Sequence, residues 1–241
     1  MKEITAKKIE FHVHTIYSKD SLQTFPFMLL ACKLKKIDCL AITDHNEIKG
    51  AIIYQKKFKK YNIDVIVGEE IFTKDGEIIG LYLNKKIEPG LSAIETVNEI
   101  RKQSGLVYIP HPYDLKRIKT VLKSNALDLI KNDVDFIECH NGRNIDKEFS
   151  TKQNEIAEKY SKIKIVGSDA HTSCELGRNY VLVDKYSRNT LKEDVENGTL
   201  VKAKYKIFSH FITKIDKTLK MIFKGDFYGI YRIIKRKIGR S

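Results

Sequence analysis

Two histidines one residue apart, His12 and His14, close the run Ile9-Glu10-Phe11-His12-Val13-His14. On an extended strand, residues two apart point to the same side, so both imidazoles can address one point. Imidazoles converging at a strand end are how proteins first grip a divalent transition metal. A single His-x-His pair says little, because in most chains it is two ordinary surface or core residues. The positions of the other histidines say more. Asp44-His45 follows Cys39-Leu40-Ala41-Ile42-Thr43, His111 follows Leu106-Val107-Tyr108-Ile109-Pro110, and His140 closes Val134-Asp135-Phe136-Ile137-Glu138-Cys139. Asp169 and His171 follow Ile163-Lys164-Ile165-Val166-Gly167, and His210 alone stands apart from any such run.

Candidate ligands therefore gather at the ends of apolar runs or in the loops just after them: His12, His14, Asp20, His45, Glu69 or Glu70, His111, His140, Asp169 and His171. In a βα barrel the C-terminal strand ends meet on one face, which lets residues distant in sequence share a pocket. Nine nitrogen and oxygen ligands exceed the needs of one ion, so the set points to two or three metals sharing a carboxylate. Arg143 and Arg178 sit in loops just past two of these strands and are candidates for a bidentate grip on a substrate phosphate.

The elements that must position these groups are legible from periodicity. Strands are expected over 8–14, 39–44, 64–72, 106–110, 135–140, 163–167 and 180–183. Residues 77–84 form an excursion after the turn pair Asp75-Gly76. Helices are expected from Phe27 to Lys36 behind Pro26, from Glu47 to Tyr61, around Asp114 to Lys131, from Lys147 to Tyr160 and from Leu191 to Glu196. Ser92 with Glu95 three residues on is a capping box, which starts one further helix. If Glu138 faces inward, alternation brings His140 inward and turns Cys139 away; thiolate ligation by Cys139 is the alternative. Repeated strand-then-helix order implies an α/β barrel or open sheet.

A chain of 241 residues suits one such barrel as a single domain. The net charge of +13 is unevenly placed: residues 202–241 hold twelve Lys and Arg against two acids, a net +10. We therefore divide the chain into a barrel over 1–206 and a basic tail over 207–241. In the tail, Phe208, Phe211, Ile212, Ile215, Leu219, Ile222 and Phe223 recur at helical spacing between lysines. Such a helix packs its apolar face on the barrel, or meets an anionic membrane surface or nucleic-acid phosphates. Cys32, Cys39, Cys139 and Cys174 form no Cys-x-x-Cys pair and read as reduced thiols. No secretory pattern or bilayer-length apolar run is found, so the expected location is cytoplasmic, at most peripheral to a membrane.

Taken together, His12-Val13-His14-Thr15 with Ser18 and Asp20, Thr43-Asp44-His45, Gly68-Glu69-Glu70-Ile71, His111-Pro112, Glu138-Cys139-His140-Asn141 and Gly167-Ser168-Asp169-Ala170-His171 resemble the successive motifs of the PHP (polymerase and histidinol phosphatase) family, in that family's order. The resemblance implies a distorted, TIM-like seven-stranded βα barrel. It also implies two or three manganese, zinc or iron ions that hydrolyse phosphoesters through a metal-bridging hydroxide. Carried over position by position, it implies His12, His14 and Asp169 at a first metal and Glu70 as the bridge. His111 and His140 would complete a second site, and Asp20, His45 and His171 a third, with His45 or His171 as proton donor to the leaving group.

The implied substrates are a small phosphorylated metabolite, a nucleotide or a short oligonucleotide; histidinol-phosphate and protein-tyrosine phosphatases share the scaffold. The motifs Glu-Cys-His-Asn-Gly-Arg and Gly-Ser-Asp-Ala-His-Thr are closest to the nucleotide-directed branch, whose frequent long insertion is missing here. The competing reading is a catalytically silent metal-binding barrel that docks on a membrane or partner through its basic tail.

Overall fold

The computed structural model describes residues 6–203 and, beyond them, Thr213, Ile215, Asp216 and 218–222. Most of the expected tail, His210 included, lies outside the described residues. Strands β1 (Lys7–Val13), β2 (Cys39–Ile42), β3 (Asp64–Thr73), β4 (Gly76–Leu81), β5 (Leu106–Ile109), β6 (Phe136–Asn141) and β7 (Ile163–Ala170) pair in chain order. Pairing of β1 with both β7 and β2 closes them into a seven-stranded barrel. Two further strands, β8 (Tyr180–Val183) and β9 (Thr199–Val201), extend from its side. β8 runs antiparallel to Lys7–Ile9 at the start of β1, whereas β7 pairs with Phe11 and Val13 nearer its end.

Seven barrel strands were expected, but their membership differs. The excursion is a barrel member: β4 runs antiparallel between β3 and β5. The expected seventh strand, 180–183, is the side strand β8 and not part of the closed ring. A hairpin therefore replaces one βα crossover, which keeps hydrogen bonding continuous around the ring and removes an exposed edge.

Alternation along the strands separates two apolar layers. Ile9, Phe11, Ala41, Ile66, Tyr108 and Phe136 fill the barrel interior. Leu40, Ile42, Val65 and Val67 face the surrounding helices. These helices are α1 (Phe25–Lys35), α2 (Lys49–Phe58), α3 (Ala93–Lys102), α4 (Ser124–Ile130), α5 (Lys147–Lys159) and α6 (Leu191–Glu196). Pro26 sits in the first turn of α1, where its missing N–H costs nothing. The capping box of α3 forms as expected, with Ser92 accepting from the Glu95 N–H and Glu95 accepting from the Ser92 N–H. The helix expected from Asp114 is reduced to α4, and residues 114–122 form turns that cover the rim. Among the described residues, no helix is long and apolar enough to cross a membrane.

Glu10 breaks the apolar pattern of the outer layer. It is fully buried beside Lys35 and accepts the Gly177 N–H at 2.5 Å. Burial, only partly offset by that hydrogen bond, pushes its carboxyl up to about 8 from the ordinary 4.5. Folding therefore takes up a proton between those values, and stability falls as pH rises through that window. Glu10→Gln is expected to leave the urea midpoint at about pH 4 unchanged and to raise stability by up to roughly 5 kcal/mol above about pH 8, read from urea unfolding at both pH values.

Candidate metal centre

Strict alternation would aim several of the candidate ligands the wrong way. Ile9 and Phe11 point into the barrel, so a regular β1 would turn His12 outward, and His14 with it. Instead His12 adopts a left-handed backbone with φ 63°, and the β1–β2 register shifts between Glu10 and Val13. This bulge turns His12 inward and sends Val13 to the outer layer, with His14 again inward. Asp169 on β7 (φ 49°) and His111 just past β5 (φ 28°) are left-handed too. For residues with a Cβ that backbone is strained, and it is held here because the packed strands over-determine it.

β3 stays regular through the site, so Glu70 faces in. Glu69 faces the other way and accepts the Ile87 N–H at 2.9 Å. The Glu70 carboxylate is 1% exposed and lies at the centre of the site. His111 Nε2 is 3.0 Å from Oε1, His12 Nε2 is 3.3 Å from the same oxygen, and His45 Nδ1 is 2.9 Å from Oε2. Asp169 Oδ1 is 3.7 Å from His12 Nε2 and 3.5 Å from His14 Nε2. Asp20 lies between His45 (3.6 Å) and His171 (3.4 Å).

The surrounding hydrogen bonds fix the tautomers. His12 Nδ1 meets the Glu138 carboxylate at 3.1 Å, so it carries the proton and leaves the Nε2 lone pair toward the site. Ser18 donates its hydroxyl to Asp44 at 2.8 Å and so accepts from His14 Nδ1 at 3.0 Å. His171 Nδ1 donates to the Asp169 carbonyl at 2.9 Å. Three imidazoles thus present Nε2 to one space. His12 Nε2, His14 Nε2, Asp20 Oδ1 and Glu70 Oε2 are buried there without a hydrogen-bond partner. Buried polar atoms are rarely left this way, and a set of converging lone pairs and carboxylates is satisfied by cations.

Three overlapping groups of donor atoms, each within 4.8 Å of one another, meet this requirement: His14, His45 and His171; His12, His14 and Glu70; and His45, Glu70 and Glu77. The residues present thus fit divalent metal ions. Burial, reinforced by the His171 and His45 charges, keeps the His14 imidazole well below its ordinary range and hence neutral. Burial pushes Glu70 upward, but the His45 and His12 charges outweigh it and hold Glu70 ionised. In turn, Glu70 and Asp169 overcome the burial of His12 and raise it, so metal must displace a proton there. Metal affinity is accordingly expected to rise with pH.

Of the ligand set expected from the sequence, the structure brings together His12, His14, Asp20, His45, Glu70, His111, Asp169 and His171. His140 does not join them. The β6–β7 register shifts between Glu138 and His140, and that bulge reverses the alternation on which the inward assignment of His140 rested. His140 Nδ1 instead meets Ser150 Oγ at 2.7 Å, on the far side of the strand. Asn141 takes the inward place, donating to Glu138 at 2.9 Å and to Asp169 at 3.4 Å. Cys139, at the bulge itself, is buried with Lys202 and Lys164 among its neighbours and belongs to none of the donor groups; burial raises its thiol.

Arg143 lines the site cavity with its fork on Glu175 at 3.0 and 3.2 Å, which braces the 171–175 loop. Arg178 is half-buried and does not line the cavity.

Three participants were missed. Glu77 reaches His45 and His111 at 3.7 and 3.5 Å. Because β4 runs antiparallel, its first residues, and not its last, lie at the rim, so a search at strand ends passes over it. The signal was the inward set Glu77, Ile79, Leu81. Glu138 orients His12 and also accepts from Tyr108 Oη and the His111 N–H. Gly167 makes room for it: an added Cβ would overlap Glu138 Oε1. Arg117, in the basic run Lys116-Arg117-Ile118-Lys119, pairs with Asp169 at 2.6 Å and Asp114 at 3.2 Å.

Glu77→Gln is expected to weaken the tightest metal uptake by roughly tenfold or more, while His140→Ala leaves it unchanged, as read by metal titration and elemental analysis of the purified variants.

Comparison with known proteins agrees with this geometry. The PHP domain pattern matches residues 10–228. An uncharacterised protein of Methanocaldococcus jannaschii is 38% identical over 177 residues, spanning 72% of this chain and 69% of the relative. The fold superposes on a two-domain protein of Bacteroides vulgatus, inferred to contain a PHP-like metal-dependent phosphoesterase, with a TM-score of 0.66 and 17% identity; the match covers 82% of this chain and 65% of that one. A protein of Bifidobacterium adolescentis, for which metal-dependent phosphoesterase activity is proposed, gives a TM-score of 0.59 and 15% identity over 81% of this chain and 98% of that one. From barrel, converging donors and matched sequence alike, the chain belongs to the PHP domain family.

Proposed function

We propose that the chain is a metal-dependent phosphoesterase that hydrolyses a small phosphorylated metabolite, a nucleotide or a short oligonucleotide. One observation carries the reading. The buried donor set opens into a cavity of about 600 Å³ whose lining joins Asp20, His45, Glu77, Asp169 and His171 to Lys19, Lys116, Arg117 and Lys119. Cavities of roughly 300–1,000 Å³ suit small ligands. A metal-ligand floor under a cationic rim selects an anion that brings its own oxygens to the floor. Inferences of phosphoesterase activity for proteins of the same fold support the same class.

Divalent ions held by His12, His14, Glu70, Asp169, Asp20, His45, His171, His111 and Glu77 would supply Lewis acidity toward water and the phosphate oxygens. The remaining steps belong to side chains. Lys19, Lys116 and Lys119 draw the phosphoester to the mouth. Arg117 lines the cavity with Nη1 on Asp169 and Nε on Asp114, so its guanidinium is held as a fixed positive charge beside the space a phosphate would take. His45 and His171 both line the cavity, and either imidazole that retains a proton can deliver it to the leaving oxygen. Glu138, Ser18 and Asp44 keep the rings beneath from turning.

Hydrolysis of a chromogenic phosphomonoester, with nucleotides and short oligonucleotides in parallel, tests the reading. Activity is expected with manganese, zinc or iron and is expected to vanish on chelation. Arg117→Ala is expected to lower kcat/KM by roughly 100-fold, in line with loss of a charge-assisted contact in the transition state. A folded, metal-loaded sample that turns over none of these substrates would favour the catalytically silent barrel.

A further inference from the structure

Thr213, Asp216 and Lys220 lie three and four residues apart on a helical segment beyond the barrel, and all three hold onto the rim. Arg143 donates to Thr213 Oγ1 at 2.6 Å, and the Leu22 N–H donates to Asp216 Oδ2 at 3.3 Å. Lys220 Nζ donates to the carbonyls of Ile16 and Ser18. Ile215, Leu219 and Ile222 occupy the other side, and they are 42%, 37% and 46% exposed. Among the described residues of this segment, polar side chains reach the rim while these three aliphatic ones stay partly in water. The packing expected from the sequence, apolar face on the barrel, is not what these described residues do.

The same character continues around the mouth. Ile16 and Tyr17, in the loop that Lys220 holds, are exposed, and Ile118 on the cavity lining is 81% exposed. Between these apolar groups stand exposed Lys19, Lys116 and Lys119, and residues 202–241 carry a net +10. Aliphatic side chains interleaved with ammonium groups suit a surface that is apolar just beneath a layer of anions. Nucleic acid would answer the charge but leave the aliphatic groups in water. A second copy would cover the aliphatic groups but bring two chains of +13 together.

We propose that this rim is a docking surface for an anionic lipid bilayer, with Ile215, Leu219, Ile222 and Ile118 entering the interface and the lysines pairing with headgroup phosphates. Docked this way, the mouth of the metal centre opens onto the headgroup layer. The inference rests on the rim and not on the phosphoesterase reading, and it stands or falls separately.

Vesicle co-sedimentation of the full chain tests it, with phosphatidylcholine alone and with roughly one-third phosphatidylglycerol, at low and high salt. Binding is expected only to the anionic vesicles and is expected to weaken with salt. The triple variant Ile215→Asp, Leu219→Asp, Ile222→Asp should lose binding by at least roughly tenfold, while its thermal melt and manganese uptake stay as in the parent. Ile118→Asp, on a different element, gives an independent second variant with the same expected loss. Equal binding by parent and both variants would overturn the proposal. So would failure of the parent to bind anionic vesicles, whether it then forms a dimer in sedimentation velocity or binds an RNA oligomer instead.

Discussion

A single buried carboxylate sets the terms for this molecule. Glu70 lies almost wholly out of water, and its ionised form is sustained only because His12, His45 and His111 stand within about 3.3 Å of it. An ion in that position is costly unless its neighbours compensate it, and the chain assembles those neighbours from three other strands and loops. Each neighbour is itself fixed from behind, by Glu138 for His12 and by the Asp44–Ser18 pair for His14. The site is therefore a nested set of polar groups inside an otherwise apolar barrel, and the barrel's closure keeps water from dissolving it.

Building such a nest on strands conflicts with strand geometry. Alternating residues fill the barrel with Phe11, Tyr108 and Phe136, and the same alternation would turn some polar side chains toward the helices. The conflict is resolved locally, at the top of the barrel, by bulges in β1, β6 and β7 and by left-handed backbone at His12, His111 and Asp169. Below these points the sheet is regular and apolar; above them it is irregular and polar. Local irregularity is thus the means by which one strand serves both core and chemistry.

How much of this could be read in advance follows from the same division. The order of strands and helices, the capping box at Ser92 and most of the ligand set were legible, because they depend on residue type and spacing. Glu70 was singled out from Glu69 only by the family resemblance; the regular alternation of β3 is what turns it inward. His140 was not correctly placed, since a bulge leaves no signature in residue type and flips every inference drawn from parity. Glu77 was passed over for a different reason: its strand runs against the others, so its chemistry sits at the beginning of the strand. Arg143 and Arg117 show a third limit. Both are loop arginines that line the cavity, and only the fold reveals which acids hold them, Glu175 for Arg143 and Asp169 with Asp114 for Arg117.

The strained backbone at the ligand residues also has a thermodynamic side. Left-handed conformations at His12, His111 and Asp169 and the unpaired Nε2 and carboxylate oxygens together make the cation-free native state less stable than its apolar core alone would allow. A cation that binds only the folded chain shifts the unfolding equilibrium by mass action, by about 2.7 kcal/mol at a hundredfold excess over its dissociation constant. A donor set of this kind would couple persistence of the fold to the supply of metal in the surrounding medium, so that starvation for metal would cost resilience as well as chemistry.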